Sequence, residues 1–119
     1  MEKNVKEIIL DIISEYNYES IILFGSRARN EHTQNSDYDL LIIMKEEKSI
    51  MELRKIQSQI RTKLALNNID ADVLVKTKFI IDEFKNKQGN VIYNALQEGV
   101  KIWLMMNTYK NGLAKLIKI

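Results

Sequence analysis

Two aspartates one residue apart, Asp37 and Asp39, stand at the start of an apolar run that continues to Met44. Side chains alternate between the two faces of a β-strand, so we expect both carboxylates to point to the same face. Neighbouring carboxylates repel each other and are costly to bury, so a cation is the expected compensation. Magnesium fits because it prefers carboxylate oxygens and commonly bridges them to substrate phosphates. The alternative is a turn before the strand that is acidic by chance.

A third carboxylate comes from a second apolar run, IDADVLV, which contains Asp70 and Asp72. If the two strands are parallel neighbours, their starts lie at the same edge of the sheet, where this carboxylate joins the first two. We expect Asp72 to be the third member of the cluster, because it lies one step deeper against the residues Val73-Leu74-Val75. Asp70 remains the alternative.

A glycine-serine pair, Gly25-Ser26, follows a short apolar run that ends at Phe24. We expect this first strand to run opposite to the second, which brings the pair to the same edge of the sheet. Glycine allows the backbone to approach a ligand closely, and the N–H groups of the following turn can bind phosphate oxygens. Arg27 or Arg29 can add a guanidinium. The alternatives are a helix-capping role for Ser26 and plain surface charges for the two arginines.

Hydrophobic periodicity predicts the elements that position these residues. The predicted elements are a helix over residues 3–16, a strand over 20–24, a short helical turn over 26–30, a strand over 37–44, a helix over 49–67, a strand over 69–75, a helix around 80–84, and a helix over 91–96 closed by Gly99. The run 100–105 is compatible with a strand or a helix, and the residues after it are not assigned. The long helix has the length of a right-handed crossover between parallel strands. The prediction is therefore an α/β (α+β) fold with a small mixed β-sheet flanked by helices.

Composition limits the remaining function classes. The chain has 119 residues, so we expect one domain over residues 1–119. It has no cysteine, so a metal must be held by oxygen ligands or by the single histidine, His32. His32 is expected to be a solvated loop residue. No signal peptide and no membrane span are recognised, and a cytoplasmic location is expected. The net charge of +2 gives little support for a nucleic-acid partner, and self-association into a homo-oligomer stays open.

The spacing of these motifs resembles a known family. The sequence contains Gly25-Ser26, then ten residues, and then Asp37-x-Asp39. This arrangement resembles the GSx10DxD signature of the DNA polymerase β nucleotidyltransferase superfamily, in particular its minimal members in bacteria and archaea. The segments that carry the resemblance lie within residues 8–105 and are FGSRARN, SDYDLLI, ADVLVKT and NVIYNALQEGVKIW. Asn30 departs from the glycine that is common at its position, and asparagine tolerates a left-handed backbone.

The resemblance implies a DNA polymerase β-like fold and an enzyme that transfers a nucleoside monophosphate, AMP from ATP, to an acceptor hydroxyl. Asp37, Asp39 and Asp72 would be the catalytic residues and would hold two magnesium ions, Mg²⁺. The implied nucleotide-binding residues are Gly25, Ser26, Arg27, Arg29 and Ser36.

The resemblance also implies a partner. Small members of the family are found with a HEPN-domain toxin, which they neutralise by adenylylating a tyrosine, so the chain is expected to be an antitoxin. The alternatives are transfer to a small molecule and a binding module that neutralises its partner by contact alone. A polymerase or repair factor is less well supported. Tyr93, Trp103 and the pair Met105-Met106 are expected to pack in the core or an interface rather than to stack on bases.

Overall fold

The structure is a computed structural model that describes the backbone of residues 3–110 and 113–117 and the side chains of residues 4–102. Within these residues, helices and strands alternate through the first part of the chain. The helices are α1 Lys3–Ile13, α2 Gly25–Ala28, α3 Ile50–Leu66, α4 Lys78–Phe84 and α5 Val91–Glu98, and the strands are β1 Tyr18–Phe24, β2 Tyr38–Met44, β3 Ala71–Thr77, β4 Val100–Lys110 and β5 Leu113–Ile117. None of the helices in this part of the chain has the length and apolar character of a membrane span.

The strands form one mixed sheet in the order β3-β2-β1-β4-β5. β2 and β3 are parallel, and α3 is the crossover that connects them, as predicted. β1 is antiparallel to both of its neighbours, β2 and β4. The end of β1 and the starts of β2 and β3 therefore meet at one edge of the sheet, which confirms the predicted arrangement.

Several boundaries differ from the prediction. α1 ends at Ile13 rather than at residue 16, because a turn over residues 14–17 leads the chain into β1, which begins at Tyr18 rather than at residue 20. β3 lies two residues later than predicted and ends at Thr77, which is paired with the last residue of β2. The undecided run that begins at Val100 is a strand, because it pairs with β1.

Helix α3 begins at Ile50, one residue after the predicted start at residue 49. Ser49 is its N-cap: the hydroxyl accepts a hydrogen bond from the Glu52 N–H at 3.2 Å, and a Glu52 carboxylate oxygen accepts the Ser49 N–H at 3.3 Å. This reciprocal pair satisfies two backbone donors that a helix start leaves without intrahelical partners. The Ser49 N–H lowers the pKa of Glu52, and so does the Ser49 hydroxyl, which donates to the same carboxylate oxygen at 3.1 Å.

The sheet has a hydrophobic core on each face, which explains why β1 and β2 are almost continuously apolar. Alternate side chains of β2 enter the two cores. The side chains of Leu40 and Ile42 pack with α1 and α3 on one face. Those of Leu41 and Ile43 pack with α4 and α5 on the other. Asp39 follows the alternation of the second group, so its carboxylate lies on the α5 face at the open end of the sheet.

Candidate active site

One row of paired residues crosses the sheet at its polar edge. Phe24 at the end of β1 is paired with Asp39 on β2, and Asp39 is paired with Asp72 on β3. Neighbouring strands lie about 4.8 Å apart, so the row places the turn after Phe24 on one side of Asp39 and the Asp72 carboxylate on the other. Residues that are far apart in sequence thus converge because β2 and β3 run parallel and β1 runs against them.

Gly25 is adapted to this position in two ways. Its φ of +73° is in the left-handed region that favours glycine. A Cβ atom at Gly25 would also overlap the Asp39 carboxylate. The backbone of the turn therefore lies directly against Asp39, and a residue with a side chain would separate the two motifs.

Asp39 is the electrostatic centre of the cluster. Partial burial raises the pKa of Asp39, and the neighbouring carboxylates of Asp72 and Asp37 raise it further, while Arg29 acts in the opposite direction. In the described part of the chain, none of these three aspartates forms a salt bridge. The cluster therefore carries negative charge that side-chain cations do not neutralise by direct contact.

This excess charge fits a divalent cation with oxygen ligands. Within the residues that the structure describes, however, no group of three acidic or histidine side chains is positioned to hold one metal ion. Asp37 precedes β2 instead of beginning it, and both Asp37 and Asp72 are exposed. A metal ion held by all three carboxylates at once therefore requires these side chains to rearrange.

Asp70, the alternative third carboxylate, lies just before β3 and is exposed. Its backbone carbonyl accepts the Tyr38 N–H at 2.9 Å, so its main chain begins the pairing of β2 with β3. Asp72, and not Asp70, is the residue paired with Asp39.

Glu98 is a site residue that the sequence reasoning missed. One of its carboxylate oxygens accepts the Gly25 N–H at 3.1 Å, and the other accepts a hydrogen bond from Arg29 Nη1 at 2.8 Å. Glu98 is the last residue of α5, where the helix dipole disfavours a negative charge. That unfavourable position was the available signal that Glu98 has a specific partner.

The two arginines of the turn have different surroundings. Arg29 contacts Glu98 and also Glu31, the latter at 3.2 Å. Arg27 donates to the Ser36 carbonyl at 2.9 and 3.0 Å, and its guanidinium lies 3.9 Å from the centre of the Tyr38 ring. Tyr38 belongs to the core on the α1 and α3 face, opposite to Asp39. Arg29 is thus the arginine on the side of the carboxylates.

Ser36 stabilises the loop before β2. Its hydroxyl accepts the Thr33 N–H at 2.9 Å, while its carbonyl binds Arg27. These contacts fix the approach to Asp37, and a direct role of Ser36 or Arg27 in nucleotide binding stays a prediction. His32 is exposed in the same loop, as expected, and lines a separate groove with Arg27 and Tyr38.

The structure describes the side chain of only one of the aromatic and methionine residues that were predicted to pack in the core or an interface. Tyr93 is half-buried on α5. The side chains of Trp103, Met105 and Met106 lie outside the described residues.

Comparison with known proteins gives consistent results. The family model "Polymerase beta, Nucleotidyltransferase" matches residues 7–105. A candidate protein adenylyltransferase of Methanocaldococcus jannaschii is 34% identical over 89 residues, which cover 69% of this chain and 89% of the relative. The crystal structure of a candidate nucleotidyltransferase from Sulfolobus solfataricus has a TM-score of 0.57 and 25% identity, and the match covers 86% of this chain and 78% of that one.

A further solved structure shares the fold. It contains the tri-AMPylated HEPN toxin of Shewanella oneidensis in complex with its MNT antitoxin, with a TM-score of 0.52 and 12% identity over 87% of this chain and 72% of the matched one. The family model covers most of the sequence, including both motifs that converge on Asp39. The chain therefore belongs to the polymerase β nucleotidyltransferase family.

Proposed function

We propose that the protein transfers AMP from ATP to a tyrosine hydroxyl of a HEPN-domain toxin and thereby acts as an antitoxin. The observation that carries the proposal is the row Phe24, Asp39 and Asp72, which brings the turn at Gly25 and two carboxylates to one sheet edge, with Asp37 just before β2. The similarity to a candidate protein adenylyltransferase supports a protein acceptor. The shared fold with an MNT antitoxin bound to an AMPylated HEPN toxin supports the choice of partner.

The turn after β1 would bind the phosphates of ATP. The Gly25 N–H and the Arg29 guanidinium both bind a carboxylate, Glu98, in the structure, so the turn already holds an anionic group. Ser26 adds a hydroxyl beside them. Two phosphates of the triphosphate would bind here and leave as pyrophosphate, and Arg29 would offset the charge that builds up on them.

Asp37, Asp39 and Asp72 would hold magnesium. The ion, when bound, supplies charge neutralisation for the phosphates and the leaving group. The raised pKa of Asp39 reflects first its partial burial and then its acidic neighbours, and a bound cation would favour the charged form of the side chain.

The acceptor would react at the Asp72 side of the row. Its hydroxyl oxygen attacks the α-phosphorus, so a new O–P bond forms while the bond from that phosphorus to the pyrophosphate oxygen breaks. The hydroxyl proton passes to the Asp72 carboxylate, which is exposed and free of salt bridges among the described residues. The products are the AMP ester of the acceptor and pyrophosphate.

The proposal is tested with purified protein, magnesium and ATP labelled at the α-phosphate, with a purified HEPN-domain protein offered as the acceptor. We expect the label to appear on the acceptor and pyrophosphate to be released. The Asp39→Asn variant should lose this transfer. A matched control is Asp82→Asn, because Asp82 is an exposed aspartate on α4 that pairs with Lys85 outside the cluster.

Two outcomes would contradict the proposal. If the acceptor is inhibited on mixing but remains unlabelled, the protein is a module that neutralises its partner by contact. If Asp39→Asn transfers label as fast as Asp82→Asn does, the carboxylate cluster is not the catalytic site.

A further inference from the structure

A groove of about 480 Å³ lies between α3 and the start of β3. Its lining includes Asp37, Asp70 and Asp72 on the sheet side and Arg54 and Arg61 on the helix side. The groove lies on the α3 side of the sheet, opposite to the Asp39 carboxylate, and it reaches the carboxylate cluster around the β3 edge, where Asp72 is part of its lining. This edge faces away from Gly25, since β2 separates β1 from β3.

The helix wall of the groove is cationic. Arg54 and Arg61 are seven residues apart, or about two helical turns, so they lie on the same face of α3. Both are exposed, and neither forms a salt bridge with any residue in the described part of the chain. Their charge is therefore available to an anionic group in the groove.

The sheet wall of the groove is an open strand edge. β3 is the outermost strand on this side, and the Val75 N–H donates at 3.2 Å to the Gln57 side chain of α3 instead of to another strand. Backbone groups two residues apart in a strand point to the same side, so those of Ala71 also point outwards, into the groove that Ala71 lines. An extended peptide can form main-chain hydrogen bonds with such an edge.

The geometry of the proposed reaction places the acceptor on this side. The leaving pyrophosphate would lie over the turn at Gly25, and the attacking oxygen must approach roughly in line with the leaving one, from the opposite direction. The row from Phe24 to Asp72 spans two strand spacings, or about 10 Å. The direction away from the pyrophosphate at Gly25 therefore leads along this row to β3 and the groove.

We propose that this groove is the acceptor site and that it binds an extended, acidic peptide segment of the protein acceptor. Carboxylates of that segment pair with Arg54 and Arg61, while its hydroxyl lies beside Asp72. The inference rests on the proposed function, because the direction of attack depends on the position of the triphosphate. A polynucleotide fits less well, since it carries a phosphate at every nucleotide and would also place charge against the three aspartates, whereas a peptide can carry its carboxylates at the two arginines alone.

The test measures peptide binding directly, without the transfer reaction. The probes are two fluorescein-labelled peptides, each with a central tyrosine, flanked by glutamates in one and by lysines in the other. We expect the full-length protein to bind the acidic peptide more tightly than the basic one, and more weakly as salt increases. Arg61→Glu should weaken binding of the acidic peptide about fivefold or more, and the double variant with Arg54→Glu should weaken it further.

Lys55→Glu is the matched control, because Lys55 is an exposed cation on α3 that does not line the groove. The inference is overturned if Arg61→Glu and Lys55→Glu have equal effects, if the basic peptide binds as well as the acidic one, or if neither peptide binds. A labelled single-stranded oligonucleotide that binds more tightly than the acidic peptide would overturn it in favour of a nucleic-acid acceptor.

Calorimetric titration with magnesium and a non-hydrolysable ATP analogue separates the two proposals. If the arginine variants bind the analogue normally and also bind the acidic peptide as tightly as the wild type does, only the assignment of the groove fails. If the wild type does not bind the analogue at all, the proposed function fails, whatever the peptides show.

Discussion

If the proposed function is correct, Glu98 competes with the triphosphate for the Gly25 N–H and Arg29, and removing its charge should strengthen triphosphate binding. The Gly25 N–H and Arg29, which we assign to the phosphates, both bind the Glu98 carboxylate in the structure. The Glu98→Gln variant keeps the size of the side chain and an oxygen that can accept the Gly25 N–H. It removes the negative charge that a phosphate would meet and weakens the hold on Arg29.

The size of the expected gain in affinity follows from the distance between the carboxylate and the phosphate and from the exposure of the side chains to solvent. A phosphate that shares these donors would lie about 4 Å from the carboxylate, where two unit charges repel by about 1 kcal/mol in bulk water and about 4 kcal/mol at an effective dielectric constant of 20. The side chains of Glu98 and Arg29 are 30% and 42% exposed, so a value near the lower limit applies. A gain of about 1–2 kcal/mol corresponds to binding about 5–30 times tighter.

The assay is calorimetric titration with magnesium and a non-hydrolysable ATP analogue at low and high salt, and the gain should shrink as salt screens the repulsion. Glu31→Gln is the control, because Glu31 also contacts Arg29 but makes no hydrogen bond to Gly25. Weaker binding by Glu98→Gln would refute the reasoning, because Glu98 would then be helping to hold the nucleotide. An equal gain in Glu31→Gln would show that release of Arg29 alone accounts for the effect.

Three further predictions concern stability. Asp39→Asn should raise the melting temperature of the metal-free protein at pH 7, because the raised pKa of Asp39 means that its charged form destabilises the folded state. The difference in melting temperature should shrink as the pH falls through the raised pKa towards the ordinary aspartate value of about 3.9, because the wild-type side chain then becomes neutral. A difference that grows in acid would contradict this prediction. Gly25→Ala should lower the free energy of unfolding by at least about 1–2 kcal/mol, because alanine is strained at positive φ and its Cβ would overlap Asp39. Urea denaturation measures that loss, and unchanged stability would show that the turn can adopt another conformation. Ser49→Ala should cost about 1 kcal/mol by the same measurement through loss of the α3 cap, with analogue binding unchanged; a loss of binding would contradict the assignment of Ser49 to stability alone.

The sequence predicts the central part of the fold because local patterns and topology agree there. The apolar runs of β1 and β2, the long amphipathic α3 and the apolar start of β3 allow one simple arrangement, in which α3 connects parallel strands. That arrangement brings Asp39 and Asp72 together without further information. The third carboxylate, Asp37, was expected within the strand, but the pairing begins one residue later at Tyr38.

The features that the sequence did not predict depend on contacts between distant residues. The run that begins at Val100 has no periodicity that separates strand from helix, and it is a strand because it pairs with β1. Glu98 reaches Gly25 only because α5 packs on the same face of the sheet as Asp39, and no spacing in the sequence reports that contact. The different surroundings of Arg27 and Arg29 likewise depend on which face of the sheet each side chain reaches.

Magnesium-dependent binding of the ATP analogue, measured by calorimetry for the wild type, Asp72→Asn and Asp70→Asn, tests the central claim most directly. Asp70→Asn is the matched control, because both aspartates line the same groove but only Asp72 is paired with Asp39. We expect the wild type and Asp70→Asn to bind the analogue more tightly with magnesium than without it, and Asp72→Asn to lose that dependence. Equal behaviour of the two variants, or wild-type binding that does not respond to magnesium, would contradict a metal site shared by β2 and β3.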